Sequence, residues 1–202
     1  MAIITALIVL VIVGAIILWP SSEDEQKISR SVAIMKTNLG EIQIELFEDL
    51  VPQTAGNFIA LAEAGFYDGI LFHRVIPDFI IQAGDPTTKD YPNDRNRHGF
   101  GGPGYTIPDE FVDSLSNVKG TIAMANSGPN TAGSQFFFNL NDNIFLDFNK
   151  LPAESQHAVF GQIIEGLEVA QAISQVRRDS NDNPLEPVII ESLTINRPQT
   201  SN

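Results

Sequence analysis

The chain has 202 residues, 43% of them hydrophobic and 18% charged, a composition that allows one well-buried globular domain plus an appendage and argues against disorder. Its net charge of −13 argues against nucleic acid and anionic membrane surfaces as partners, because both attract basic patches. Cysteine is absent, which rules out disulfides, thiolate chemistry and cysteine-based zinc sites.

Ala2 to Trp19 is almost unbroken apolar sequence without a polar face. At about 1.5 Å per helical residue it just spans a ~30 Å hydrocarbon core, so residues 1–20 are predicted to form one transmembrane helix. Trp19 ends the run where an interfacial aromatic belongs, and Pro20 stops the helix. The alternative is a cleaved signal segment with Val13-Gly14-Ala15 as its small-residue site, which would leave a secreted body. The missing Lys or Arg ahead of the run and its length favour the uncleaved anchor. The charge bias across it is thin, with Lys27 and Arg30 downstream. The preferred topology is a single pass in the cell membrane, with the body on the extracytoplasmic side. Residues 21–31 are polar and read as a tether, 32–197 as the folded domain and 198–202 as a tail.

Val32–Lys36 and Glu41–Phe47 are predicted to form a hairpin, with Ile42, Ile44 and Leu46 facing inward. Pro52 opens a helix whose stripe is Phe58, Leu61 and Ala62, and Gly65 stops it. Phe72 to Asp85, F-H-R-V-I-P-D-F-I-I-Q-A-G-D, reads as one strand with a bend or bulge at Pro77-Asp78. Arg74 beside Phe79 and Gln82 fits a surface that holds a peptide. A core strand with one salt-bridged arginine fits equally well.

Pro86 to Gly104 is predicted to be a long surface loop. Gly99, Gly101 and Gly104 spell G-x-G-x-x-G, but no strand precedes them, Pro103 interrupts them and no helix follows, so a dinucleotide site is rejected. The acids and amides of the same loop lack calcium-loop spacing. Further strands are expected at Gly120–Ala125, Gln135–Leu140, His157–Ile164 and Val188–Ile195, with an amphipathic helix over Glu165–Val176. In Q-F-F-F-N-L, alternation sends Phe136 and Phe138 one way and Phe137 with Gln135 the other, so both faces meet apolar or ligand surface. About eight short strands and two helices favour an antiparallel barrel or sandwich.

The usual catalytic devices are missing. There is no G-x-S-x-G, and Ser134 lacks a strand-to-helix turn. The three histidines, His73, His98 and His157, have no metal-binding spacing, and neither a metal nor a cofactor is expected. What remains is Arg74, Phe79, Ile80, Gln82, Asn126, Gln135, Phe137, Leu146 and His157.

Phe72–Asp85 and Met124–Phe137, M-A-N-S-G-P-N-T-A-G-S-Q-F-F, resemble the two signature stretches of the cyclophilin family of peptidyl-prolyl cis-trans isomerases. Gly99–Phe111, G-F-G-G-P-G-Y-T-I-P-D-E-F, resembles its prokaryotic branch. The resemblance covers Val32 to about Ile195. It implies a closed eight-stranded antiparallel β-barrel capped by two α-helices, working as a monomer on X-Pro bonds in unfolded or folding proteins. It implies a catalytic role for Arg74 and a proline pocket of Phe79, Ile80, Phe137 and Leu146. Gln82 is implied to bind the substrate carbonyl and orient the arginine, and Asn126 to grip the peptide through its backbone. Gln135 and His157 are implied at the rim. Phe145 stands where eukaryotic members carry tryptophan, which implies weak cyclosporin binding. Asp147–Gln156 is longer than in many members, which puts the placement of His157 in question. A proline-binding module without turnover and a purely structural β-domain are the competing readings; retention of Arg74 favours an active isomerase.

Overall fold

The computed structural model describes residues 29–150, 152 and 156–198. The strict alternation in the first hairpin sets the sheet. Strand β1 (Val32–Thr37) returns as β2 (Gly40–Leu46), with Thr37 opposite Gly40. Ile42, Ile44 and Leu46 are completely buried. Helix α1 (Pro52–Glu63) starts on its proline, whose missing N–H costs nothing at that position. Its Thr54 N–H and hydroxyl both donate to Glu110 Oε2, at 2.6 and 2.8 Å.

The Phe72–Asp85 stretch departs from the expectation of one bulged strand. It is a hairpin, β3 (Arg74–Ile76) and β4 (Ile80–Ala83), turned at Pro77-Asp78-Phe79. Asp78 takes φ 56°, the left-handed conformation that a short acidic side chain tolerates. The hairpin puts Arg74 directly opposite Gln82. The following loop contains a short helix α2 (Thr87–Asp90) and a 3-10 turn at Arg95–Arg97. Then come β5 (Thr121–Met124), β6 (Phe136–Asn139), β7 (Val159–Glu165), α3 (Leu167–Ser174) and β8 (Ile190–Asn196).

All neighbouring strands are antiparallel, in the order β3-β4-β6-β5-β7-β2-β1-β8. The closed barrel that was expected is instead an open eight-stranded half-barrel: the end strands β3 and β8 share no ladder. Only the segment ahead of β3 reaches across, through a Leu71–Ile189 bridge and the bonds Gly69 N–H to Ile190 O and Phe72 N–H to Val188 O. The ladder stops because Leu71 donates to Thr88 Oγ1 at 3.0 Å and Val75 to Asp182 O at 2.8 Å.

Helix α1 packs on β7 and β8, and α3 on β2, β3 and β4. The interior is aromatic. Phe58 meets Tyr67, Phe136 and Phe160 at centroid distances of 5.1, 5.4 and 5.1 Å. Each such ring removed from water contributes roughly 1.5–3 kcal/mol. Phe136 and Phe138 enter this core, whereas Phe137 lies on the opposite face, as the alternation requires. Arg30 and Ser31, assigned to the tether on sequence, are bound to the domain. Arg30 forks onto Asp49 at 2.7 and 3.0 Å, and Ser31 donates twice to Glu48.

Among the described residues no helix is long and apolar enough to cross a membrane. The Ala2–Trp19 run lies outside the described residues.

Candidate active site

Three adjacent strands place the site. β4 lies between β3 and β6, so Arg74, Gln82 and Phe137 sit in one cross-strand row. Arg74 is half-buried and makes no hydrogen bond or ion pair among the described residues. Its guanidinium is therefore available to a ligand. The alternative of a core strand with a salt-bridged arginine does not match this geometry.

Beside Arg74 is an apolar floor. Phe137, Ile80 and Leu146 belong to the core cluster and are 2%, 3% and 7% exposed, and Phe79 packs against it. His157 closes one side, its ring edge-on to Phe137 at 5.2 Å and 88°. Its N–H donates to Leu146 O at 3.0 Å and its Nδ1 bonds Met124 O at 3.0 Å, which holds the ring against this floor. Burial holds the His157 imidazole below its ordinary pKa, against the pull of Met124 O and Asp109; the nearby Arg74 charge pushes it the same way as burial. Phe145 is half in solvent, stacked on Phe79 at 6.0 Å and 18°.

The amides are wired differently from expectation. Gln82 makes no side-chain bond to Arg74. Its Nε2 donates to Gln135 Oε1 at 2.9 Å, and Gln135 Nε2 donates to the carbonyls of Gly99 and Gly101 at 3.0 and 2.8 Å. Gln135 thus braces the glycine-rich loop against the site. From below, buried Asp85 accepts from Thr87 and from Gly99 N–H. A Cβ at Gly101 would overlap Asp85 Oδ1, which explains a glycine there without any nucleotide. The loop and the Ala125–Ser127 segment border a cleft of about 510 Å³ that reaches Gln82. At its edge Asn126 donates to Gln156 O at 2.8 Å, while its own backbone N–H and C=O are unpaired among the described residues.

A buried polar network escaped the sequence reading. Asp147 accepts from Ser116 Oγ and from Asn117 N–H and Nδ2. Asn117 Nδ2 also reaches His157 O, and Asn139 Nδ2 donates to Asn117 Oδ1. Asn143 Nδ2 then donates to Asn139 Oδ1 and to Phe79 O. The network therefore fixes the backbone of two site residues, Phe79 and His157. Ser134 is buried with its hydroxyl donating to Gly84 O at 2.7 Å, a structural role. Among the described residues no cluster of three or more His, Asp or Glu could hold a metal ion.

Residues 32–195 match the family model for cyclophilin type peptidyl-prolyl cis-trans isomerase/CLD. The chain is 42% identical over 157 residues to peptidyl-prolyl cis-trans isomerase ppi1 of Schizosaccharomyces pombe, covering 77% of this chain and 93% of that protein. It is 40% identical over 186 residues to peptidyl-prolyl cis-trans isomerase A of Mycobacterium tuberculosis, covering 83% and 93% respectively. A crystal structure of a Cryptosporidium parvum cyclophilin type peptidyl-prolyl cis-trans isomerase superposes with TM-score 0.71 at 29% identity, covering 85% of this chain and 99% of that one. The same parasite protein crystallised in the presence of the dipeptide Ala-Pro gives TM-score 0.71 at 30% identity. With the family matched from the first strand to the last, the chain belongs to the cyclophilin type peptidyl-prolyl cis-trans isomerases and is an enzyme of that activity.

Proposed function

We propose that the chain isomerises X-Pro bonds of unfolded or folding proteins at the surface built by Arg74 and Phe137, and that it does so as a monomer. The observation that carries the site assignment is the unpaired Arg74 guanidinium beside the Phe137 floor. Rotation about an X-Pro bond breaks amide resonance over a barrier of roughly 18–20 kcal/mol. No covalent bond forms or breaks, so the task is to bind the twisted amide better than the planar one. The proline ring lies on Phe137, Ile80, Leu146 and Phe79. As the amide twists, the proline nitrogen gains a lone pair, and Arg74 donates to it or to the neighbouring carbonyl. The free backbone groups of Asn126 grip the peptide on the other side. Gln82 Nε2 gives one N–H to Gln135 Oε1, which holds the amide in place, and its second N–H donates to the substrate carbonyl.

A proline-isomerisation assay tests this. Arg74→Ala is expected to lower kcat/KM by roughly 10²–10³-fold, the usual loss for one transition-state donor. Turnover equal to the parent's would sink the assignment.

The finer placement of the chain is part of the same proposal. The Ala2–Trp19 run anchors it in the cell membrane, residues 21–31 tether it, and the domain at 32–197 works on the extracytoplasmic side; cleavage of the run would give a secreted enzyme instead. Membrane fractionation of the intact chain decides between the two. Membership of the prokaryotic branch rests on the Gly99–Phe111 segment. Phe145 has no indole N–H, so cyclosporin should bind weakly, and Phe145→Trp should tighten inhibition.

A further inference from the structure

A second cleft, of about 500 Å³, opens on the other side of Arg74, between the Pro86–Gly104 loop and the turn around Asp179–Asn183. Its walls are locked together. Arg95 Nη2 donates to Pro184 O and Leu185 O at 3.1 and 3.0 Å, and Asn183 Nδ2 lies 3.0 Å from His98 Nδ1. Both Arg74 and Arg95 line the space, in a protein whose net charge is −13.

The carboxylates nearby are already engaged. Asp179, which lines the cleft, accepts from the N–H groups of Asn181 and Asn183 through Oδ1 and faces Arg95 at 3.9 Å through Oδ2. Asp182 pairs with Arg178 at 3.1 Å, Asp94 with Arg97 at 3.0 Å, and buried Asp85 is held by Thr87 and Gly99. Arg74 has no counter-charge among the described residues. His73, also lining the cleft and 6% exposed, has both ring nitrogens buried without a hydrogen-bond partner. The cleft therefore presents two guanidinium groups and side-chain amides, and Asp179, the carboxylate that lines it, is already engaged.

We infer that this cleft is a subsite for the carboxylate of an aspartate or glutamate side chain close to the isomerised proline, held by Arg74 and Arg95. The inference rests on the function proposed above, because Arg74 and Gln82 border both the proline floor and this cleft. A peptide with its proline on Phe137 brings a neighbouring side chain to the cleft mouth.

Exchange NMR on the purified full chain in mild detergent measures turnover of any proline peptide without a coupling protease. The peptides are identical except for Glu or Gln at each of the two positions on either side of the proline. At one of these positions the Glu peptide is expected to exceed its Gln partner in kcat/KM by about five- to tenfold, the size of one charge-assisted hydrogen bond in a half-buried site. That advantage shrinks in high salt. Arg95→Gln lowers the Glu-to-Gln ratio. Asn96→Asp, at an exposed position without side-chain hydrogen bonds, puts a negative charge at the cleft and lowers the ratio without touching the fold. Equal turnover of Glu and Gln peptides at every position overturns the inference, as does an Asn96→Asp ratio equal to the parent's. Failure of the function itself looks different: the parent then turns over no peptide, the Gln series included, and the subsite falls with it.

Discussion

His73 makes the stability of the domain depend on acidity in a way that one substitution isolates. The imidazole is 6% exposed and neither nitrogen has a partner. Burial, opposed by the Asp85 carboxylate and helped by His98 and Arg74, lowers its pKa from 6.5 to about 4. The folded state thus resists a proton that the unfolded chain accepts. Stability from this group is complete above 6.5, the unfolded value, and is lost as pH falls toward the folded value of about 4. The whole difference corresponds to about 3 kcal/mol, of which about 2 kcal/mol disappears between pH 7 and pH 5. His73→Phe keeps a ring against Gly99 and removes the titration. Urea unfolding should be followed by far-UV circular dichroism, because the one tryptophan, Trp19, lies outside the domain. The parent should lose about 2 kcal/mol more than the variant between pH 7 and pH 5. His157, also held low by burial, contributes with the same sign in both proteins and cancels in the difference. Equal losses in the two proteins would refute the reasoning.

Other perturbations separate the parts of the site. Arg74→Lys keeps the charge but loses the planar fork, so kcat/KM should recover only part of what Arg74→Ala loses, with an unchanged unfolding midpoint. Asn139→Leu strands Asn117 Oδ1 in the core, while Thr121 Oγ1 and Asn143 Nδ2 keep their bonds to Val118 O and Phe79 O, and should cost roughly 1–3 kcal/mol for the one acceptor left unpaired, read from urea midpoints. Gly101→Ala forces the loop off Asp85 and should weaken peptide binding, visible as a raised KM, because Gln135 loses the carbonyl that holds it.

Wherever burial follows a period, the sequence reveals the fold. Ile42, Ile44 and Leu46, and Phe136 and Phe138 against Phe137, point as alternation requires. The β3–β4 hairpin hid because its turn, Pro77-Asp78-Phe79, is flanked by apolar residues and contains no glycine to mark the left-handed position that Asp78 fills. Barrel closure was misjudged because backbone groups of Leu71 and Val75 turn to Thr88 and Asp182, partners that no local pattern announces. Of the site, Arg74, Gln82 and Phe137 were visible in two motifs, and the sheet order brings them into one row. The Asn117–Asn139–Asn143–Asp147 network was not visible, since its members are scattered polar residues that meet only after folding. Nor did spacing show that Gln135 reaches back to Gly99 and Gly101.

The way the N-terminal segment enters the domain has a mechanical consequence. Arg30 and Ser31 are clasped by Asp49, Glu45 and Glu48 immediately before β1, which lies between β2 and β8 rather than at a sheet edge. A pull through residues 1–28 therefore meets the clasp first. Beyond it, the load runs along β1 and strains two ladders together, in shear, instead of peeling one edge open bond by bond. Drag on a bound client would enter at the row of Arg74, Gln82 and Phe137 and leave through β1, with four ladders of the sheet sharing it between β6 and β1.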